Sequence, residues 1–311
     1  MADVKIPKIL RARKSLAREK VEDLRHGLLK AGVDELLDSK ACVYLTGSLA
    51  RGEASEQSDL DIFMFSDMEV DEDREVHQLL DPLDLSRLQS KLIDVANELG
   101  FPPFSNEGEY LVFHSKSDLV NKIGHRDEDY TNILTARLLL LLESTPILGE
   151  ELYSRTITQI IGSYWRDYER NEKAFLPVFL TNDIVRFWKV LCLNYEANSP
   201  PEKDLLKRRV QNYKLRHSRL LTCFSAILQF LWRLRDGPAI SPEEAVQVVQ
   251  MQPIERLIAI ANEPNCSPEV QDRVHSLLEQ YARFLEHTTG EKGEVRARFD
   301  DESFRAERRR E

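Results

Sequence analysis

Only three short stretches of this 311-residue chain read as β-strand, and all three lie in its first 115 residues. Ala41-Cys42-Val43-Tyr44-Leu45 is apolar and β-prone and stops at Thr46-Gly47-Ser48, which predicts a strand running into a tight turn. Leu60 to Phe65 predicts a second strand, and Glu109-Tyr110-Leu111-Val112-Phe113-His114 a third. Helices surround them. Residues 13–38 carry Leu16, Val21, Leu24, Leu28 and Leu29 at amphipathic spacing, and Leu85 to Leu99 is helical up to Gly100, a suitable C′ residue. The acidic stretch from Asp67 to Glu75 reads as a solvated loop between them.

Beyond about Asp129 the character changes. Nearly every segment as far as Glu286 has helical spacing, with breaks at 146–149, 198–201, 237–242 and 262–267. The expected fold class is therefore α+β, a small mixed β-sheet core followed by an all-helical domain. The expected divisions are an N-terminal helical segment at 1–40, the core at 41–125, the helical domain at 126–289 and a charged tail at 290–311. Hydrophobic residues at 42% suffice to bury a sizeable core.

The formal net charge of -10 disfavours binding nucleic acid through the surface as a whole, so any polyanion must meet a local basic patch. Cys42, Cys192, Cys223 and Cys266 are far apart and in apolar surroundings, which reads as thiols in a reducing compartment. The longest apolar run, Leu138 to Leu142, is far shorter than a membrane span, and the start MADVKIPKILRARK lacks a useful signal-peptide core. A cytoplasmic protein with no membrane partner is expected.

The chemistry is concentrated between residues 45 and 62. A glycine after a strand lets the backbone approach a ligand, and the amides of the following turn form an anion nest, to which Ser48 adds a hydroxyl. In Asp59-Leu60-Asp61 the alternation of a strand puts both carboxylates on one face and Leu60 and Ile62 on the core side. Two adjacent carboxylates repel unless a cation lies between them. Mg²⁺ (or Mn²⁺) suits the pair, because it is held by one or two carboxylates plus substrate phosphates, and two ions would suit in-line phosphoryl transfer.

The stretch resembles the polymerase-β-type nucleotidyltransferase signature, Gly-Ser followed about ten residues later by Asp-x-Asp. Here Leu49 to Ser58 supply the ten. The inner text GSLARGEASEQSDLD is also similar to bacterial uridylyl- and adenylyltransferases of nitrogen control. The resemblance covers residues 41–65. It implies a mixed sheet, two metal ions, a nucleoside triphosphate donor and a third carboxylate on a later strand, for which Glu109 is favoured over Glu107 and Asp118. Arg51 either reaches a phosphate or pairs with Glu53 or Glu56.

Two helical segments are candidate phosphate ligands. Arg186 and Lys189 share a face opposite the stripe of Ile184, Trp188, Leu191 and Tyr195. Between Lys203 and Arg219 stand seven lysines or arginines against one acid, Asp204. There Leu206, Val210, Tyr213, His217 and Leu220 are expected to face the core, His217 as a satisfied histidine, leaving Arg208, Asn212, Arg216 and Arg219 as a basic stripe. The expected nucleotide-binding set is thus Gly47, Ser48, Arg186, Lys189, Arg208, Arg216 and Arg219, and the expected catalytic and metal set is Asp59, Asp61 and Glu109. The expected reaction is transfer of a nucleoside monophosphate from a nucleoside triphosphate to an acceptor, first a protein or other macromolecule, with release of pyrophosphate. The alternatives are a synthase of an oligonucleotide or cyclic nucleotide signal, with a nucleotide or RNA acceptor among the possibilities, and a regulator that binds nucleotide without turnover.

Overall fold

The computed structural model describes residues 5–70, 76–78, 82–104, 111–197, 205–302 and 304. Helix α1 (Lys8–Lys30) buries Leu10, Ala17, Leu24 and Leu28 along one face. It stops where Gly32 turns the chain at a φ of +67°, so the expected single helix over 13–38 is two, the second being α2 (Val33–Leu37). Strand β1 (Ala41–Leu45) and the single turn of α3 (Gly47–Ala50) follow. Next come β2 (Ile62–Ser66), a small antiparallel pair of β3 (Met68–Val70) and β4 (Val76–Gln78), and α4 (Pro82–Glu98). The front is completed by β5 (Phe113–Ser115) and α5 (Lys116–Asn121).

Then α6 (Ile133–Glu143), the apolar run around Leu138 to Leu142, leads into β6 (Thr145–Leu148), a strand at the helix break expected over 146–149, inside the domain expected to be all-helical. Helices occupy the rest: α7 (Glu150–Tyr164), α8 (Tyr168–Asn171), α9 (Val178–Ala197) and α10 (Leu205–Lys214). A π-turn (Leu215–Arg219) joins α10 to α11 (Leu220–Arg233). The remaining helices are α12 (Pro242–Gln250), α13 (Pro253–Asn262), α14 (Pro268–His287) and α15 (Lys292–Asp300).

The main sheet has the order β5-β2-β1-β6. It is mixed, as expected: β1 runs antiparallel to β2 and β6, and β2 parallel to β5. Alternation along the strands divides the core in two. Val43, Leu45, Ile62 and Met64 lie in one cluster with Leu24, Leu28, Leu88 and Leu92 of α1 and α4. Cys42, Tyr44, Phe63 and Phe65 lie in the other, with the leucines of α6 and with Ile157 and Ile161 of α7. Each such side chain fully withdrawn from water contributes roughly 1.5–3 kcal/mol. The sheet is thereby bonded to the helical part through its own second face.

A third cluster brings the end of the chain back to its start: Leu10 packs with Tyr213, Leu257, Leu278, Phe284 and Phe299. The fully buried Arg256 of α13 fixes the helix ends beneath. Its guanidinium donates to the carbonyls of Leu142, Thr222, Val248 and Val249, and burial lowers it to about 9. Among the described residues, no helix is long and apolar enough to cross a membrane.

Candidate active site

Strand β1 ends at Leu45, and the amide of the next residue, Thr46, donates to the Asp61 carbonyl at 2.9 Å, so the turn and the aspartate segment are joined by backbone. Gly47 follows at a φ of +72°, a left-handed conformation that disfavours side chains. A Cβ there would stand 2.2 Å from Asp61 Oδ2. The glycine thus leaves room for the aspartate as well as for a ligand. Ser48 is the second residue of α3, whose first amides have no intrahelical acceptor, and its hydroxyl donates to Ser58 Oγ at 3.0 Å.

Asp59-Leu60-Asp61 lies just before β2, not within it as expected, yet the alternation holds. Leu60 is buried in the front cluster while both carboxylates line a cleft of about 980 Å³. Burial raises Asp61 above the usual carboxylate range; Arg219 opposes that shift, and Glu143 and Asp59 add to it. A buried carboxylate beside a second acid is stabilised by a cation from the cleft, and two hard oxygen ligands suit a divalent ion that takes its other ligands from phosphate and water. Among the described residues no group of three or more histidines, cysteines or acids forms a metal cage.

The charge behind the turn comes from a residue that sequence reasoning missed. Glu143, the last residue of α6, is buried and accepts from four donors: the Gly47 amide at 3.3 Å, Arg51 Nη1 at 2.7 Å, Thr222 Oγ1 at 2.8 Å and Arg219 Nη1. Although burial pushes the carboxyl up, the guanidiniums of Arg219 and Arg51 and the Thr222 hydroxyl outweigh it and hold it at about 2. Arg51 also donates through Nε to Glu53 at 2.8 Å, and Glu53 accepts from Tyr281 Oη at 2.7 Å. Of the two roles open to Arg51, the structure gives the pairing with Glu53. One chain of charge therefore runs from the Gly-Ser turn to α11 and α14. Its sequence signal was an acid closing an apolar helix.

The opposite wall is helical and cationic, with Lys207 and Lys214 of α10, Arg219 of the π-turn and Lys292 and Arg296 of α15; Arg13 of α1 borders the same cleft. Arg13 donates to the Ala54 carbonyl at 2.8 Å and to Thr289 Oγ1, fastening the loop after the turn to the segment before α15.

The sequence-derived residues divide accordingly. Gly47, Ser48, Asp59, Asp61 and Arg219 are brought together around the cleft. Arg186 and Lys189 do not line it. Arg186 is bound to the buried Glu128, to Asp129 at 2.7 Å and to Asp183 at 3.7 Å, and Lys189 is exposed. Glu128 draws Arg186 inward because a buried carboxylate needs cationic partners, and it takes Arg137 at 2.5 Å as well. Arg208 pairs with Glu196 at 3.2 Å and Arg216 is exposed, both away from the cleft. The reason is the π-turn, whose extra residue breaks the α-helical register that linked them to Arg219.

His217 Nδ1 donates to the Tyr213 carbonyl at 2.9 Å and the ring stacks on Phe284, the structural role expected of it. Glu109, the expected third carboxylate, and its alternative Glu107 lie outside the described residues. Asp118 belongs to the first turn of α5, paired with Lys122 at 2.8 Å.

A Gly-Ser turn at the end of one strand, with two cleft-facing aspartates leading into its antiparallel neighbour, is an arrangement of the nucleotidyl-transfer kind. Residues 28–123 match the family model described as "Nucleotidyltransferase domain", so this segment is a nucleotidyltransferase domain of the polymerase-β-type superfamily. Domains of this kind use a nucleoside triphosphate and generally divalent metal ions. No curated protein and no solved structure matches the chain.

Proposed function

We propose that the protein is a metal-dependent nucleotidyltransferase in which Asp59 and Asp61 hold two Mg²⁺ (or Mn²⁺) ions and Gly47, Ser48 and Arg219 hold the donor phosphates. The observation that carries this reading is the pair of carboxylates, one of them raised by burial, facing a cleft beside a glycine whose missing Cβ makes space for one of them. When bound, the ions would supply charge neutralisation for the triphosphate and for the leaving pyrophosphate. The chain's own residues orient the reactants. The Gly47-Ser48 turn fixes the phosphates by backbone and hydroxyl, Arg219 balances charge at Asp61, and the helical wall encloses the cleft.

An acceptor hydroxyl forms the new bond to the α-phosphorus as the bond to pyrophosphate breaks, and the hydroxyl proton leaves to water. A protein or other macromolecule is the acceptor that the local likeness to nitrogen-control enzymes favours. The test is incubation of purified protein with each α-labelled nucleoside triphosphate and Mg²⁺ or Mn²⁺, alone and with cell lysate. Label in macromolecules supports a modifying enzyme, and label in small products a signal synthase. Asp59→Asn and Asp61→Asn are expected to lower transfer by roughly two to four orders of magnitude. Near-normal turnover in both variants removes the two-metal assignment, and nucleotide binding without any product in wild type leaves a regulator.

A further inference from the structure

Lys214 and Arg219 are five residues apart, and both line the cleft that Asp59 and Asp61 line, Lys214 within the electrostatic reach of Asp59 and Arg219 within that of Asp61. In an α-helix that separation sets two side chains about 140° apart around the axis. Here the Leu220 amide reaches back five residues to the Leu215 carbonyl, closing a π-turn over Leu215–Arg219. Five residues make roughly one π-helical turn, so its ends come to the same side. The α-periodic face of Lys207, Gln211, Lys214 and Ser218 thereby gains Arg219.

The two cations are not equivalent. Arg219 is engaged by Glu143, whereas Lys214, accessible from the cleft, makes no ion pair within 4.0 Å among the described residues. Its ammonium is held below its ordinary value first by desolvation, with Asp59 opposing the shift and Arg219, Arg51 and Lys292 adding to it. An ammonium crowded by three other cations, with Asp59 its main opposing charge, is stabilised by an incoming anion. The cleft of about 980 Å³ leaves that anion room, and Val210, Gln211, Ser48 and Ser58 line it with Lys214.

We propose that Lys214 is a catalytic residue that contacts the donor's phosphates, and that the π-turn is the device that aligns it with Arg219 over the aspartate pair. This rests on the nucleotidyl-transfer reading. The division of labour follows from the partners: Arg219, fixed by Glu143, serves the aspartate side, and Lys214, unfixed, takes the substrate. The competing role is a resting counter-ion for Asp59, which would leave when a metal ion arrives.

Binding separates the two roles without requiring an acceptor. Lys214→Gln, Lys214→Arg and wild type are titrated by calorimetry with inorganic tripolyphosphate in Mg²⁺, a probe independent of the base, and apparent Mg²⁺ affinity is measured in parallel. Lys214→Gln is expected to weaken tripolyphosphate binding roughly 10- to 100-fold with unchanged Mg²⁺ affinity and melting temperature, and Lys214→Arg to restore most of it. Unchanged tripolyphosphate affinity with tighter Mg²⁺ binding in Lys214→Gln would overturn the proposal in favour of a counter-ion. Absence of tripolyphosphate binding to wild type would overturn it too. Failure of the parent reading has a different signature, no pyrophosphate from any triphosphate even with lysate, while the binding difference persists.

Discussion

At the scale of single residues, the site is organised by exclusion and by buried charge. A side chain at position 47 meets Asp61 Oδ2 before it meets any ligand, so Gly47→Val acts first on a proposed metal ligand and only then on the phosphate turn. The positive φ adds strain. The variant is expected to melt lower than wild type and to lose at least about 1.4 kcal/mol, a factor of ten, in triphosphate affinity. Unaltered affinity by calorimetry in a folded variant would remove the turn from phosphate binding. Glu143 yields a second prediction through pH. Its carboxyl is depressed from 4.5 to about 2. Its stabilisation is therefore complete above 4.5 and disappears as pH falls from there through about 2. That displacement corresponds to about 3 kcal/mol at neutral pH. Glu143→Gln is expected to unfold more easily at pH 7 and to approach wild type near pH 2, as read from chemical denaturation at a series of pH values. A constant difference across the series would show that the four donors do not act through the carboxylate's charge.

At the scale of elements, the segment from α10 to α11 decides which cations reach the cleft. A continuous α-helix would carry Arg208 and Arg216 round with Arg219, as the α-spacing of the sequence predicts. The π-turn instead separates them and leaves Arg208 with Glu196. Moving the lysine by one residue tests this directly. In a continuous α-helix Leu215, four residues before Arg219, would share its side, whereas the π-turn brings position 214 there. Lys214→Gln/Leu215→Lys is therefore expected to bind tripolyphosphate as weakly as Lys214→Gln does. Arg216→Ala, at an exposed position outside the cleft, should bind normally. Wild-type binding in a folded double variant would make the π-turn incidental.

At the scale of the whole molecule, the match at 28–123 stops short of the sheet's fourth strand. β6 arrives only after α6, pairs with β1, and the face formed by Tyr44, Phe63 and Phe65 is covered by helices from beyond residue 130. A fragment of residues 1–125 would lack an edge strand and expose three aromatic side chains, each contributing roughly 1.5–3 kcal/mol when buried. It is expected to be unfolded or aggregated by amide dispersion in NMR spectra, whereas the full chain should unfold in one transition. A dispersed spectrum for the fragment would mean that the core is self-sufficient.

The sequence alone determined what depends on neighbours in the chain. Strand β1, the Gly47-Ser48 turn, the alternation that sends Asp59 and Asp61 to one side, and the helical character of the second half all follow from short-range sterics and periodicity. The tertiary structure decided what depends on charge brought from afar. Glu143 looks like the polar end of an apolar helix until Arg51, Arg219 and Thr222 converge on it across separations of 76 to 92 residues. Arg186 looks like a free cation until Glu128, 58 residues earlier, claims it. Which basic residues line the cleft depended on one π-turn, because a single inserted residue reassigns every side chain beyond it, and helical spacing read from sequence assumes that no such insertion occurs.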